Sequence, residues 1–389
     1  PTSATGMPSS NARAVVDRLP DLTVVGITGS AGKTTTKDLA AQLIETLGPT
    51  VAPRDSFNNE IGHPLTVLRV TEHTRYLVAE LAARGPGHIA RLCQMAPPRL
   101  GAVLCVGHAH AGEFGGLDAI AAAKGELPAA LPPDGIAVLN ADDHRVAAMA
   151  ARTRAEVVTF GRSAGAHVRA DRVQCDEAGR AGFTLVTPAG SAPVQLRLYG
   201  EHHVHNALAA AALAFELGMP VADVGAGLSA AVARSRWRME VTQRPDGVTV
   251  VNDAYNANPD SVSAAIAALA AMAHGRRGFA VLGHMTELGD DADRLHEQIG
   301  AQAAAAGLAG LIVVGEQAAP MLAGARRVPG WQGELAHVPD AAAAVGTLRD
   351  RLRDGDVVLV KASHSIHLER VALALTGEQP LDGEAGPAG

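Results

Sequence analysis

The sequence predicts an α/β fold: a phosphate-loop domain on a mostly parallel central sheet with an antiparallel β section, followed by a C-terminal Rossmann-like α/β domain. Three observations carry this. A β-branched run, Val24 to Ile27, leads into the Gly-rich turn Thr28-Gly29-Ser30-Ala31-Gly32-Lys33-Thr34-Thr35 and then into helical periodicity. Short apolar strands alternate with helices and end on polar residues, as parallel sheets with ligands at their carboxyl edges do. The pattern breaks between about 155 and 200 into short alternating runs separated by Gly, Asp and Pro, then restarts after Trp237.

The chain has 389 residues and 47% apolar residues but only 3% aromatics, so it can bury a large core that must be mostly aliphatic. Its net charge of −7 argues against nucleic acid as the main partner. No apolar stretch approaches the roughly 20 residues of a membrane span. The start, Pro1 to Gly6, lacks a signal-peptide pattern, so a cytoplasmic location is expected. Cys93, Cys105 and Cys175 are isolated in sequence and read as reduced thiols.

In chain order, residues 1–20 read as a polar, disordered tail and a short helix from Ala12 to Leu19. A first domain, 21–236, holds strands at 22–27, 76–80, 102–106 and 136–140, the antiparallel section and an Ala-rich helix from His202 to Leu217. A second, 237–376, holds strands at 248–252, 279–282, 310–314 and 357–360, with helices near 260–273, 292–306 and 340–353. The Gly, Pro and acid-rich residues 377–389 read as a disordered tail.

The turn at 28–35 is the strongest chemical signal. Glycines let successive N–H groups face one anion, and the following helix adds its positive end. Gly29, Ser30, Ala31, Gly32 and Thr35 would supply the cradle, Lys33 would reach the outer phosphates, and the Thr34 hydroxyl suits Mg²⁺. The match is not strict, because Ile27 stands where the first Gly of the phosphate-loop pattern belongs. A nucleoside triphosphate, ATP, is the ligand expected. Glu80 ends a strand on the same edge and suits a divalent cation, or it is a solvated strand-end acid. His110 and Lys124, 14 residues apart, are each weak alone; Lys124 is placed at the start of a helix. Asn206 suits a purine edge or a helix cap. Arg238 suits a transferring phosphoryl group or a surface acid. The crowded Asn252-Asp253-Ala254-Tyr255-Asn256-Ala257-Asn258-Pro259 is either a ligand loop or a capped turn.

Together these stretches resemble the Mur ligase family, and within it the MurF branch, which adds D-alanyl-D-alanine to UDP-N-acetylmuramoyl-tripeptide. The likeness runs from about 20 to 375 through T-G-S-A-G-K-T-T-T-K at 28–37, F-N-N-E-I-G-H-P-L-T at 57–66, A-H at 109–110, A-K-G-E at 123–126 and N-A-D-D at 140–143. It continues through G-E-H-H-V-H-N-A-L-A-A at 200–210, R-M-E at 238–240, N-D-A-Y-N-A-N-P-D-S at 252–261 and V-L-V-K-A-S at 358–363. The resemblance implies an ATP-dependent amide ligase: a carboxylate is phosphorylated, and an amine then displaces phosphate. Lys33 and the loop amides would hold phosphates, Thr34 and Glu80 one Mg²⁺, and His110 with a carbamylated Lys124 a second. Asn206 would meet adenine, and Arg238 with Asp253 the nucleotide. Asn58, Asn59, Tyr255, Asn256, Asn258, Lys361 and Ser363 would line the substrate side.

The sequence also departs from that pattern. Glu80-Leu81-Ala82 replaces E-L-G, Ala109-His110-Ala111 follows His108 in place of A-H-L, Gly283-His284-Met285 replaces G-D-M, and Lys361-Ala362-Ser363-His364 replaces K-G-S-R. Only about 20 residues precede the phosphate-loop strand, where the family carries a domain that grips the UDP-sugar. Those departures favour a smaller, nucleotide-free acid joined to an amino acid or dipeptide in a specialised pathway. The alternatives are a MurF whose first domain is absent or supplied by a separate protein, and a plain phosphate-loop ATPase or silent nucleotide-binding module. These residues name neither the acid and amine nor an oligomeric state.

Overall fold

The computed structural model describes residues 6–107 and 115–378, in two units: 1–176 with 180–235, and 177–179 with 236–389. His108 and His110 lie outside the described residues, as do Ala109, Ala111 and the tail beyond 378.

Among the described residues the first unit holds a nine-stranded sheet, ordered β2-β3-β1-β4-β5-β6-β7-β8-β9. Its strands are β1 (Thr23–Thr28), β2 (Thr50–Val51), β3 (Tyr76–Glu80), β4 (Leu100–Val103), β5 (Ile136–Asn140), β6 (Glu156–Gly161), β7 (Val168–Cys175), β8 (Arg180–Thr187) and β9 (Gly190–Tyr199). Every pairing from β2 through to β7 is parallel, and β7, β8 and β9 pair antiparallel. The irregular stretch read from the sequence therefore extends the parallel sheet rather than forming a second one.

Strand faces alternate as the pleat requires. Val25, Ile27, Val78, Ala102 and Val138 face one apolar cluster, which also takes in the Lys33–Ile44 and His203–Glu216 helices. Ala79, Val103, Ala137 and Leu139 face another, with Ile89, Leu92 and Leu127. The run Ala207 to Ala214 is fully buried, so methyl-sized side chains let that helix approach its neighbours closely. The first helix spans Gly6–Asp17, starting before the expected Ala12. Its Ala12 is fully buried against Val24, Val67 and Leu77, so packing extends order into a stretch that composition marks as disordered.

The second unit holds a six-stranded sheet ordered β10-β11-β15-β12-β13-β14: β10 (Glu240–Gln243), β11 (Thr249–Asn252), β12 (Gly278–Leu282), β13 (Gly310–Val314), β14 (Glu334–Val338) and β15 (Val357–Lys361). Only β10 pairs antiparallel. In this unit β10 and β14 are the strands sequence reading missed; each is an edge strand with part of its surface exposed, so neither shows the apolar run of a central strand. Among the described residues no helix is long and apolar enough to cross a membrane.

One buried ion pair anchors the helix that follows the turn at 28–35. Lys37 is 0% exposed; its Nζ lies 2.5 Å from Asp38 Oδ1 and donates to the Pro53 carbonyl at 2.8 Å. Asp38 in turn accepts the Ser235 N–H at 3.0 Å. Removing one partner of such a pair strands a buried charge, at a cost of about 3–5 kcal/mol. Lys37→Ala is expected to lower the urea midpoint by that equivalent, measured by far-UV circular dichroism, whereas an exposed change such as Arg154→Ala leaves it within about 0.5 kcal/mol.

Candidate functional site

β1 lies between β3 and β4, which leave it in opposite directions along the sheet, so its carboxyl end is a switch point where a crevice opens. The turn at 29–32 occupies that point. Gly32 has φ +80°, and a Cβ there would overlap Asn206 Oδ1. Only glycine combines that backbone with that neighbour. The Lys33–Ile44 helix begins at the next residue, so the first-turn amides of Lys33, Thr34 and Thr35 point out of its positive end.

The rest of the turn is tied down. Ser30 N–H donates to the Cys105 carbonyl at 3.0 Å. Ser30 Oγ donates to the Gly107 carbonyl at 3.1 Å and accepts the Gly107 N–H at 2.9 Å. Ala31 N–H points at Cys105 Sγ, 3.4 Å away. Ser30 and Ala31 thus spend these groups on fixing the loop, and the anion-facing amides are concentrated at 32–35. Lys33 Nζ donates to the Gly29 carbonyl at 2.7 Å, folded back over its own turn.

Glu80, at the carboxyl end of β3, is 1% exposed. Its Oε1 accepts from Asn58 Nδ2 at 2.7 Å, and its buried Oε2 has no hydrogen-bond partner. A buried carboxylate oxygen in that state is costly unless a cation or donor meets it. Thr34 Oγ1 lies 3.0 Å from Ser56 Oγ, so the segment carrying Asn58 also reaches the helix start. An oxygen-only set of a hydroxyl and a carboxylate suits a hard divalent cation.

Lys124 ends the Leu117–Lys124 helix rather than starting one, because the register that buries Ile120 and Ala123 puts Lys124 in its last turn. It is 5% exposed, and burial with Lys33 nearby lowers its pKa to about 7. The thiol of Cys105 is raised by burial, against the pull of Lys124 and Lys33, and stays protonated. The post-β4 segment is held by Asn140 Nδ2, which donates to the Leu104 carbonyl at 2.7 Å, and by Asp143 Oδ2, which accepts the Val106 N–H at 2.7 Å.

Asn206 lies in the first turn of the His203–Glu216 helix and does not cap it. Its Nδ2 donates to His203 Nδ1 at 3.1 Å, and Oδ1 accepts from Thr36 Oγ1 at 3.4 Å. Burial holds His203 well below its usual pKa, so the neutral ring orients the amide against Gly32.

In the second unit, the segments after β11, β12 and β15 meet at one sheet edge. Asp253 N–H donates to the Val360 carbonyl at 2.9 Å, Gly283 N–H to the Lys361 carbonyl at 3.0 Å, and Ser363 N–H to the His284 carbonyl at 3.1 Å. Lys361 is buried; its Nζ meets Asp253 Oδ2 at 2.6 Å and donates to the Asn256 carbonyl at 2.8 Å. Burial lowers its pKa, against the pull of Asp253. His284 packs 5.1 Å from His296, centroid to centroid, and burial, then His296, lowers its pKa. The Met285 N–H donates to His296 Nε2 at 3.0 Å, and His296 Nδ1 faces the Ala292 carbonyl at 2.7 Å, which fixes a neutral tautomer.

Several residues expected on the substrate side are spent internally. Asn258 caps the Pro259–Met272 helix in a capping box with Ser261. Asn59 Oδ1 accepts the N–H groups of Ile61 and Gly62 at 3.1 and 2.8 Å, closing the turn into the Gly62–Val67 helix. Ser363 Oγ accepts the Thr286 N–H at 2.9 Å. Asn256 Oδ1 accepts the Ala257 N–H at 2.9 Å. Lys361 is a clamp within the unit. In each case the capped-turn or buried-partner reading describes the geometry. Sequence reasoning missed Ser56, Cys105 and Asp143, whose roles arise from contacts across the sheet edge, and His203, whose only signal was its place in the quoted E-H-H-V-H-N run.

Comparison with known proteins covers both units. The Mur ligase middle domain matches residues 27–214, and the Mur ligase glutamate ligase domain matches 237–364. The chain is 48% identical, over 382 residues, to the UDP-N-acetylmuramoyl-tripeptide–D-alanyl-D-alanine ligase of Mycobacterium leprae, covering 92% of this chain and 74% of that one. The fold is similar to a crystal structure of MurF from Acinetobacter baumannii, with a TM-score of 0.87, 30% identity, and 97% and 81% of the two chains covered. It is also similar to the MurF ligase of Thermotoga maritima in complex with ADP, with a TM-score of 0.84, 28% identity, and 97% and 84% covered.

Gly32→Ala tests the turn. The left-handed backbone alone costs roughly 1–2 kcal/mol for a residue with a Cβ, and the overlap with Asn206 adds to it. The variant is expected to bind ADP at least about tenfold more weakly by calorimetry, with a fall in melting temperature of a few degrees at most.

Proposed function

Because the chain belongs to the Mur ligase family of ATP-dependent, ADP-forming amide ligases, we propose that it joins D-alanyl-D-alanine to UDP-N-acetylmuramoyl-tripeptide. The observation that carries this reading is the extent of the likeness to a ligase of that name: 48% identity over 382 residues, through both units. The expectation of a nucleotide-free acid is less well supported. It leaned on how little sequence precedes β1 and on the departures at His108, His284 and His364, and a chain that spans 74% of its relative says nothing about what grips a UDP group. The plain ATPase and silent-module readings are also weaker, since both units match ligase domains. Such an enzyme would work in the cytoplasm, where ATP and UDP-linked acids are available.

In this reading an oxygen of the substrate carboxylate attacks the γ-phosphorus of ATP and ADP departs. The D-alanyl-D-alanine amine then attacks the acyl carbon, loses a proton, and phosphate leaves. The amides at 32–35 take the phosphates, and Lys33 Nζ exchanges the Gly29 carbonyl for a phosphate oxygen. Asn206, oriented by His203, faces adenine. Thr34 and Glu80 would hold Mg²⁺, which would neutralise charge on the phosphates; the partnerless Glu80 Oε2 fits that role. Arg238 and Asp253 are assigned to the nucleotide by their family positions. His110 is assigned with Lys124 to a second Mg²⁺ on the same ground.

Lys124 is read as a carbamate. A buried ammonium would repel a cation, whereas an amine with a pKa of about 7 is about half neutral at neutral pH, and that neutral form can add CO₂. The sign follows: the amine is protonated as the pH falls through about 7, so carbamate and activity are lost on the acid side. Lys124→Ala is expected to lower kcat about 100-fold or more, with partial rescue by added short-chain carboxylate. No rescue, together with mass-spectrometric and crystallographic evidence of an unmodified amine in active protein, would contradict the carbamate.

The substrate is tested by coupled ADP release. UDP-N-acetylmuramoyl-tripeptide with D-alanyl-D-alanine is compared with nucleotide-free acids and the same amine. Turnover confined to the UDP-linked acid is expected; efficient turnover of a nucleotide-free acid alone would return the reading to the smaller substrate.

A further inference from the structure

Arg238 is held by an unusual stretch of backbone. Its neighbours Trp237 and Met239 both adopt left-handed conformations, with φ of 58° and 50°, and both are buried. Non-glycine residues in that region persist only where the surroundings fix them. Here Met239 N–H donates to Asp253 Oδ1 at 3.1 Å, Tyr255 N–H to the Trp237 carbonyl at 3.2 Å, and Trp237 N–H to Glu240 Oε2 at 3.1 Å. Asp253 and Asn256 are in turn clamped by Lys361 from β15.

The side chains continue the arrangement. The Arg238 guanidinium carbon sits 4.1 Å from the centroid of the Tyr255 ring. The His364 ring stacks on Tyr255 at 5.2 Å and 23°, and it also packs 6.0 Å from Trp237. One guanidinium and three rings, from three separate segments, thus form a single cluster within the second unit. An arginine is planar and weakly hydrated, so an aromatic face restricts its rotamers with little desolvation cost.

We propose that Tyr255 and His364 are positioning residues that fix the Arg238 guanidinium for phosphoryl transfer. This rests on the reading of Arg238 as a cation for the transferred group. It replaces the expectation that Tyr255 touches substrate: the ring face is used, not the hydroxyl. Preorganising a charge that matters most in the transition state affects kcat more than ground-state binding of ATP.

The test is a double-mutant cycle on ADP release with saturating acid and amine. Tyr255→Leu is expected to lower kcat about 30-fold with the KM for ATP within about threefold, and Tyr255→Phe to restore most of that loss. On an Arg238→Ala background, Tyr255→Leu adds less than about twofold, because there is no guanidinium left to position. His364→Ala is expected to lower kcat about fivefold on the parent background only. Equal losses on both backgrounds, or a Tyr255→Phe as damaging as Tyr255→Leu, overturn the proposal. Arginine side-chain NMR supplies a readout that needs no turnover. The Arg238 Nε–H signal, identified by its loss in Arg238→Lys, is expected to be slowly exchanging and shifted by the ring, and to move in His364→Ala. A fast-exchanging Nε–H in the unmodified protein overturns the positioning role whatever the substrate. Failure of the unmodified protein to use the UDP-linked acid would instead overturn the substrate reading alone.

Discussion

The first unit depends on the left-handed turn at Gly32, set at the end of β1, where the strand order of the parallel sheet reverses. The turn can close only because position 32 carries no Cβ against Asn206 and because Ser30 and Ala31 are bonded to the segment after β4. Those bonds leave the following amides as the helix's exposed positive end. Glu80 comes to the same edge because β3 pairs directly with β1 and Glu80 stands opposite Ile27. A phosphate and a divalent cation need neighbouring, opposite kinds of site, and parallel pairing supplies both from adjacent strand ends.

Three buried lysines show how environment divides one residue type into three uses. Lys37 keeps Asp38 beside it and ties a helix to two loops. Lys361 keeps Asp253 beside it and ties the segment after β11 to β15. Lys124 is buried with the like charge of Lys33 nearby, and burial first, then Lys33, lowers its proton affinity to the neutral range. The first two arrangements are structural, because a paired buried charge has little to offer a ligand. The third is chemically open, because a neutral amine in a buried site is a nucleophile.

The second unit uses the same sheet logic for a different purpose. Its three adjacent strands β11, β15 and β12 end together, and cross-links among their following segments leave few of the expected substrate residues with a spare polar group. The replacement of an acid by His284 fits this economy: paired with neutral His296, it packs as a half-buried ring whose pKa is lowered. What the edge presents is Arg238 on its strained turn, backed by Tyr255.

The sequence by itself determined the strand–turn–helix at 23–44, the order of the parallel strands' chemistry, and the family, because those signals are local: β-branched runs, glycines at fixed spacing, and contiguous motifs. The place of Glu80 at a strand end on the same edge was legible for the same reason. Tertiary structure alone decided which of the crowded Asn, Ser and Lys residues keep a free valence. Asn258 turned out to be a cap, Asn59 a turn-closing acceptor and Lys361 a clamp, since a side chain's partners depend on the segments that lie beside it. It also decided that residues 6–11 are helical, through the burial of Ala12, and that Lys124 closes its helix. Local periodicity cannot register either fact, because both follow from surface buried against residues far away in the chain.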